Sequence, residues 1–123
     1  MFVANTDQGT IVRFKMGEGK NGGPHAEVFV KSPAIVGADG IAFDVRHNVY
    51  VTADYQNTLI LISPNGDIKT LATASEGLDF PADAHFGQSQ GQRRFLFWTN
   101  GGYNHTKPSL QKLDVGVPGI RLP

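Results

Sequence analysis

No cysteine occurs among the 123 residues of the chain. Disulfide frameworks, thiol nucleophiles and thiolate metal sites are excluded together. Charge of either sign is not in surplus, because 11 Lys and Arg face 11 Asp and Glu. A partner recognised through phosphates, whether nucleic acid or an anionic membrane surface, would call for a basic excess or stripe that is missing. No run approaches the roughly eighteen apolar residues of a spanning helix, and Met1-Phe2-Val3-Ala4-Asn5 places no basic segment before an apolar one, so this chain is expected to hold neither a transmembrane helix nor a signal peptide. Compartment is left open. Helical periodicity is absent too: no window of ten or so residues repeats its apolar positions every three to four.

What the chain does contain is turns and short runs of period two. It has 15 Gly and 7 Pro, enough to punctuate the sequence every few residues. Between them stand β-branched and aromatic runs such as Thr10-Ile11-Val12-Arg13-Phe14, Asn48-Val49-Tyr50-Val51-Thr52, Thr58-Leu59-Ile60-Leu61-Ile62 and Arg94-Phe95-Leu96-Phe97-Trp98-Thr99. Ser63-Pro64-Asn65-Gly66-Asp67 reads as a tight turn, with Pro setting φ and both Asn65 and Gly66 expected at positive φ. Gly17-Glu18-Gly19-Lys20-Asn21-Gly22-Gly23-Pro24 carries glycines but joins two strands and opens no helix, so it is a connection and not a phosphate loop. The pattern predicts an all-β chain.

Internal similarity points to the architecture. Phe2 to Val12 aligns without a gap on Tyr50 to Ile60, Thr10 matching Thr58, and Phe97-Trp98-Thr99-Asn100 aligns on Tyr50-Val51-Thr52-Ala53. Ahead of these, Ala38-Asp39-Gly40-Ile41-Ala42-Phe43-Asp44 aligns on Pro81-Ala82-Asp83-Ala84-His85-Phe86-Gly87. A unit of four short strands at this spacing is a propeller blade. The predicted fold is a β-propeller fragment of about two and a half to three four-stranded blades. Residues 1–32 form a blade lacking its inner strand, 33–74 a complete blade and 75–123 the last blade. Strands are expected at 2–5, 10–15, 27–30, 40–43, 48–53, 58–63, 67–72, 83–86, 95–99 and 109–114. Such a piece leaves terminal faces uncovered, and two copies about a twofold along the channel would close a ring of five or six blades.

The residues then resemble a family. Asp39-Gly40-Ile41-Ala42-Phe43-Asp44 followed by Asn48-Val49-Tyr50-Val51-Thr52 is similar to the inner-strand and second-strand motif of gluconolactonase-like six-bladed propellers, the group of regucalcin, luciferin-regenerating enzyme and bacterial lactonases. Pro81 to Gly87 with Phe95 to Asn100 resembles the start of that family's last blade, and Pro108 to Gly119 its C-terminal ending. The resemblance covers nearly the whole chain but only the C-terminal portion of a family member. It implies a hydrolase of lactones or related cyclic esters, a small-molecule substrate, and a divalent cation, calcium or zinc, on the channel axis. In the family that ion is held by one Glu, two Asn and one Asp, and only the Asp has a counterpart here, Asp39. A hard cation takes several oxygens, so Asp39 alone does not make the site.

Asp39 is therefore the candidate catalytic and metal-ligating residue, positioning or deprotonating water; its structural alternative is an Asp that caps a turn before a strand. Asp83 and His85 are the candidate substrate-binding pair, sharing one face if the strand alternates, with a solvated channel wall as the alternative. Asp54 reads as a turn former. His25, His47 and His105 lie in loops without ligand spacing. Asn104-His105-Thr106 fits the N-glycosylation pattern. Arg93-Arg94 reads as a solvated edge, and Trp98, Phe95 and Phe97 as packing between blades. The alternative to a lactone hydrolase is a non-catalytic propeller scaffold or binding module.

Overall fold

The structure, a computed structural model, describes residues 1–104 and 107–121. Ten strands follow one another: β1 (Phe2–Asn5), β2 (Thr10–Lys15), β3 (His25–Lys31), β4 (Ala38–Phe43), β5 (Val49–Ala53), β6 (Thr58–Ile62), β7 (Ile68–Ala72), β8 (Pro81–Phe86), β9 (Phe95–Asn100) and β10 (Ser109–Asp114). Single 3-10 turns are the only helical elements among the described residues, and none is long and apolar enough to cross a membrane. The strands form three antiparallel sheets, β1-β2-β3, β4-β5-β6-β7 and β8-β9-β10, each a chain-order meander. The fold is all-β, three propeller-type blades of three, four and three strands.

The sheets stack face to face, which explains the composition of the middle one. Odd residues of β5 and even residues of β6 (Val49, Val51, Ile60, Ile62) join Ile11, Ile35 and Ala38 in one core, with Phe2, Ala4, Phe29 and Val30 of sheet 1 against it. The opposite faces (Tyr50, Leu59, Leu61) join Ala84, Phe86, Leu96 and Trp98 of sheet 3 in a second core. Because both faces are covered, β5 is buried along its whole length.

The sequence repeats are structural repeats. Ala38 pairs with Ala53 in one sheet and Pro81 with Asn100 in the next; both ladders then slip at a bulge and resume at Ile41 with Val51 and Ala84 with Trp98. The bulge residues are Asp39-Gly40 and Ala82-Asp83. The aromatic contact between blades recurs as well, Phe2 on Phe43 at 5.0 Å and Tyr50 on Phe86 at 5.2 Å between ring centres.

Two details depart from the sequence reading. In the 63–67 turn Gly66 has φ 89, but Asn65 is not at positive φ, so one residue and not two makes the reversal. Phe95 and Phe97 point away from the core that holds Trp98, and Lys112 lies over them at 4.8 and 6.0 Å from the ring centres. They cover the outer face of sheet 3 and do not pack between described sheets. Asp54 does form the turn after β5, opening a 3-10 turn whose other residues are exposed, while its own side chain is only 6% exposed. His105 and Thr106 of the Asn104-His105-Thr106 triplet lie outside the described residues.

Candidate functional site

The inner strands β4 and β8 lie side by side, and Gly40 permits it. A methyl group at Gly40 would sit 2.6 Å from the Ala82 carbonyl oxygen and the Ala84 nitrogen and 2.7 Å from the Asp83 α-carbon. Only a residue without Cβ allows the two bulges to touch. Thr52, buried on β5, fastens the contact: its Oγ1 accepts the Gly40 N–H at 2.9 Å and donates to the Ala82 carbonyl. The Asp-Gly dipeptide singled out in the sequence is thus the point where the inner strands of two blades meet.

Bulging re-aims the side chains around that point. Asp39, next to Gly40, is exposed. On the neighbouring strand Asp83 and His85 come together, His85 Nε2 lying 2.9 Å from Asp83 Oδ2, while Asp83 Oδ1 accepts the Ala84 N–H at 2.9 Å. The two carry about two-thirds of their side-chain surface in solvent, 65% for His85 and 64% for Asp83. The pair expected on one face is one hydrogen-bonded unit. His85 also borders a cleft of about 230 Å³ whose other walls are Ile41, Ala42, Phe43, Phe86, Gln88 and Ile120. The tail contributes the Ile120 wall of that cleft and is held there by Ile120 N–H donating to the Phe43 carbonyl and Val45 N–H to that of Pro118.

At the other end of β4 a second carboxylate stands near Asp39. Burial holds the Asp54 carboxyl above the usual carboxylate range, the Tyr55 N–H donated to it at 2.6 Å pulls it back, and the charge of Asp39 adds a further push upward. Beside it run three rings: Tyr55 and Phe80 at 6.1 Å, Phe80 and Tyr103 at 4.7 Å and almost perpendicular. Sequence reading passed over this row because its members come from three different connections, and no local pattern unites them.

Asp44 was also passed over. It is fully buried and accepts from the N–H groups of Arg46 and Asn48, the Asn48 amide and the Tyr50 hydroxyl, at 2.7 to 3.1 Å. Burial, then the neighbouring Asp44 charge, raises the Tyr50 hydroxyl far above its ordinary value. Asp44 builds the turn into β5; its enclosure leaves it no access to a ligand. Its spacing to Asn48 was the available signal, an Asx-type turn closing on its own backbone.

No three His, Asp or Glu side chains converge among the described residues in a way that would hold a metal ion. Calcium takes six to eight oxygens and zinc about four donors, so Asp39 with Asp54 falls short of either. The described residues do not by themselves fit the cation that the resemblance implies.

No protein-family model matches the chain, and no curated protein matches it.

Proposed function

We propose that this chain carries a hydrolytic site for lactones or related small cyclic esters at the junction of β4 and β8. The supporting observation is the hydrogen-bonded Asp83–His85 pair, with His85 on the rim of a small, mostly apolar cleft. With Nε2–H donated to Asp83, the tautomer this hydrogen bond assigns, Nδ1 of His85 keeps its lone pair for a proton from water. The water oxygen then bonds to the acyl carbon and its proton passes to Nδ1. The ring C–O bond breaks, His85 returns the proton to the departing alkoxide, and the product is an open hydroxy acid. Asp39 orients the water by accepting its second hydrogen. The apolar walls at Ile41, Phe43, Phe86 and Ile120 take the carbon skeleton. No step passes through a metal ion.

The test is a pH-stat assay of five- and six-membered lactones with the 123-residue chain and its His85→Gln, Asp83→Asn and Asp39→Asn variants. Loss of a general base should lower kcat about a hundredfold in His85→Gln, with a smaller loss in Asp83→Asn. Equal rates in all four proteins would overturn the reading. The second reading, a cleft that binds without turnover, is favoured by the solvent exposure of the pair; it predicts saturable lactone binding with no acid release.

A further inference from the structure

The connections into β4 and β8 solve one geometric problem in opposite ways. Gly37 precedes Ala38 and Phe80 precedes Pro81, at matching positions in the two ladders, and both have positive φ, 88 and 53. Positive φ is ordinary for Gly and costly for a bulky residue. At Gly37 a Cβ would meet Asp54 Oδ1 at 2.6 Å and the Tyr55 nitrogen at 2.8 Å, so the side chains after β5 require a glycine. After β9 the matching residues are Gly101 and Gly102, which free that space for the Phe80 ring. A Cβ at Gly101 would in turn meet the Tyr103 ring at 2.9 Å. The glycine has moved from one side of the contact to the other, and a phenylalanine takes the strained place.

The consequence is the row Tyr55, Phe80, Tyr103. Both tyrosines are open to solvent, 58% and 75% exposed, yet their backbones are fixed. Phe80 donates its N–H to Asn57 Oδ1 at 2.6 Å and receives the Gly101 N–H at 2.9 Å. The loop bearing Tyr103 is tied to buried Asp79 by the backbone and side-chain N–H groups of Asn104 at 2.9 Å. Exposed rings set on a hydrogen-bonded backbone suit a ligand platform, because less ordering of the chain remains to be done on binding. Carboxylates stand beside the first ring: Asp54 accepts the Tyr55 N–H at 2.6 Å, and Asp39 is close enough for its charge to act on Asp54. Aromatic faces and carboxylates both attract a cation with apolar substituents.

We propose that Tyr55, Phe80 and Tyr103, with Asp54 and Asp39, bind an organic ammonium group. This site shares Asp39 with the proposed hydrolytic site, but the aromatic row carries it and it does not rest on the hydrolase reading. Benzyltrimethylammonium chloride is the probe, titrated into the 123-residue chain with sodium chloride at equal ionic strength as control. Ring-proton shifts of Tyr55 and Tyr103 report binding, and thermal unfolding is measured alongside. The wild type should show saturable shifts that sodium does not produce. Phe80→Gly should weaken binding about tenfold while leaving the melting temperature unchanged or higher, because it removes a ring and relieves the positive φ. Tyr103→Ala, at an exposed position, should weaken binding by a similar factor without loss of fold. Absence of saturable shifts, or unchanged affinity in both variants, would overturn the proposal. So would a marked fall in melting temperature of Phe80→Gly, which would make the ring a packing element.

Discussion

The two interfaces between sheets share a register but not a chemistry. Sheet 1 meets sheet 2 through a mainly aliphatic core edged by Phe2, Phe29 and Phe43, with a polar fastening at Thr6, whose Oγ1 donates to the Ala38 carbonyl at 2.9 Å and whose carbonyl accepts the Gly37 N–H at 2.8 Å. Sheet 2 meets sheet 3 through a mixed core of Leu, Trp, Tyr and Phe threaded by buried polar groups: Thr52 between the bulges, Tyr50 on Asp44, and Asn100 accepting the Asp79 N–H and donating to the Gly77 carbonyl. Dispersion and burial dominate the first interface, whose polar contacts sit at its edge. The second spends polar groups on fixing inner-strand edges, which is where the candidate chemistry lies. A hydrogen-bonded contact tolerates less displacement than a greasy one, so the blade pair beside the site is the one locked in place.

Cavity-forming substitutions should separate the two interfaces most clearly. Leu96→Ala in the mixed core and Ile60→Ala in the aliphatic one remove fully buried side chains and should each cost about 3 kcal/mol by urea unfolding. One cooperative transition is expected for both, since sheet 2 supplies half of each core; a first transition confined to sheet 1 in Ile60→Ala would show that the blades unfold separately. Thr52→Val tests the polar fastening at nearly constant volume. It leaves the buried Gly40 N–H without its acceptor and should cost about 2 kcal/mol. It should also loosen the bulges, seen as shifted amide signals at Asp39 and Asp83. Undisturbed signals there would mean that packing alone sets the site. Tyr50→Phe removes one hydrogen bond while Asp44 keeps its backbone and Asn48 donors, so about 1 kcal/mol is expected.

The same contrast explains what was legible beforehand. Strand positions, turns and blade phase follow from period-two runs and punctuation, and each expected strand has its counterpart within a few residues. The alignment of Asp39-Gly40 with Ala82-Asp83 could be read because a bulge is kept at the same place in both ladders. The Asp83–His85 contact was legible as i and i+2 on one strand. Phe95 and Phe97 were not, because alternation tells which residues share a face without saying which face has a neighbour. The aromatic row was illegible for a different reason: Tyr55, Phe80 and Tyr103 meet only through tertiary placement of three connections. The resemblance to gluconolactonase-like propellers suggested the chemistry sought at β4 and β8, and the lactonase reading stands as the proposal made above.

The smallest expected effect concerns Asp54, and its sign is the informative part. Burial and the nearby Asp39 charge raise its carboxyl above the unfolded value, outweighing the Tyr55 N–H. The folded protein therefore holds the Asp54 proton more tightly than the unfolded chain does. The stability linked to this proton is present in full below the unfolded value and is lost as pH rises through the folded one. At neutral pH the ionised group opposes folding. Asp54→Asn keeps an oxygen for the Tyr55 N–H and carries no charge, so it should melt higher than the wild type at pH 7, with the gain shrinking towards zero at about pH 3. Asp39→Asn should give a lesser gain of the same sign, because it removes only the repulsion. A variant at Asp54 that melts lower than wild type at pH 7 would show that the charge is compensated in the fold. In that case the carboxylate does not stand as a charge in reserve for a cation.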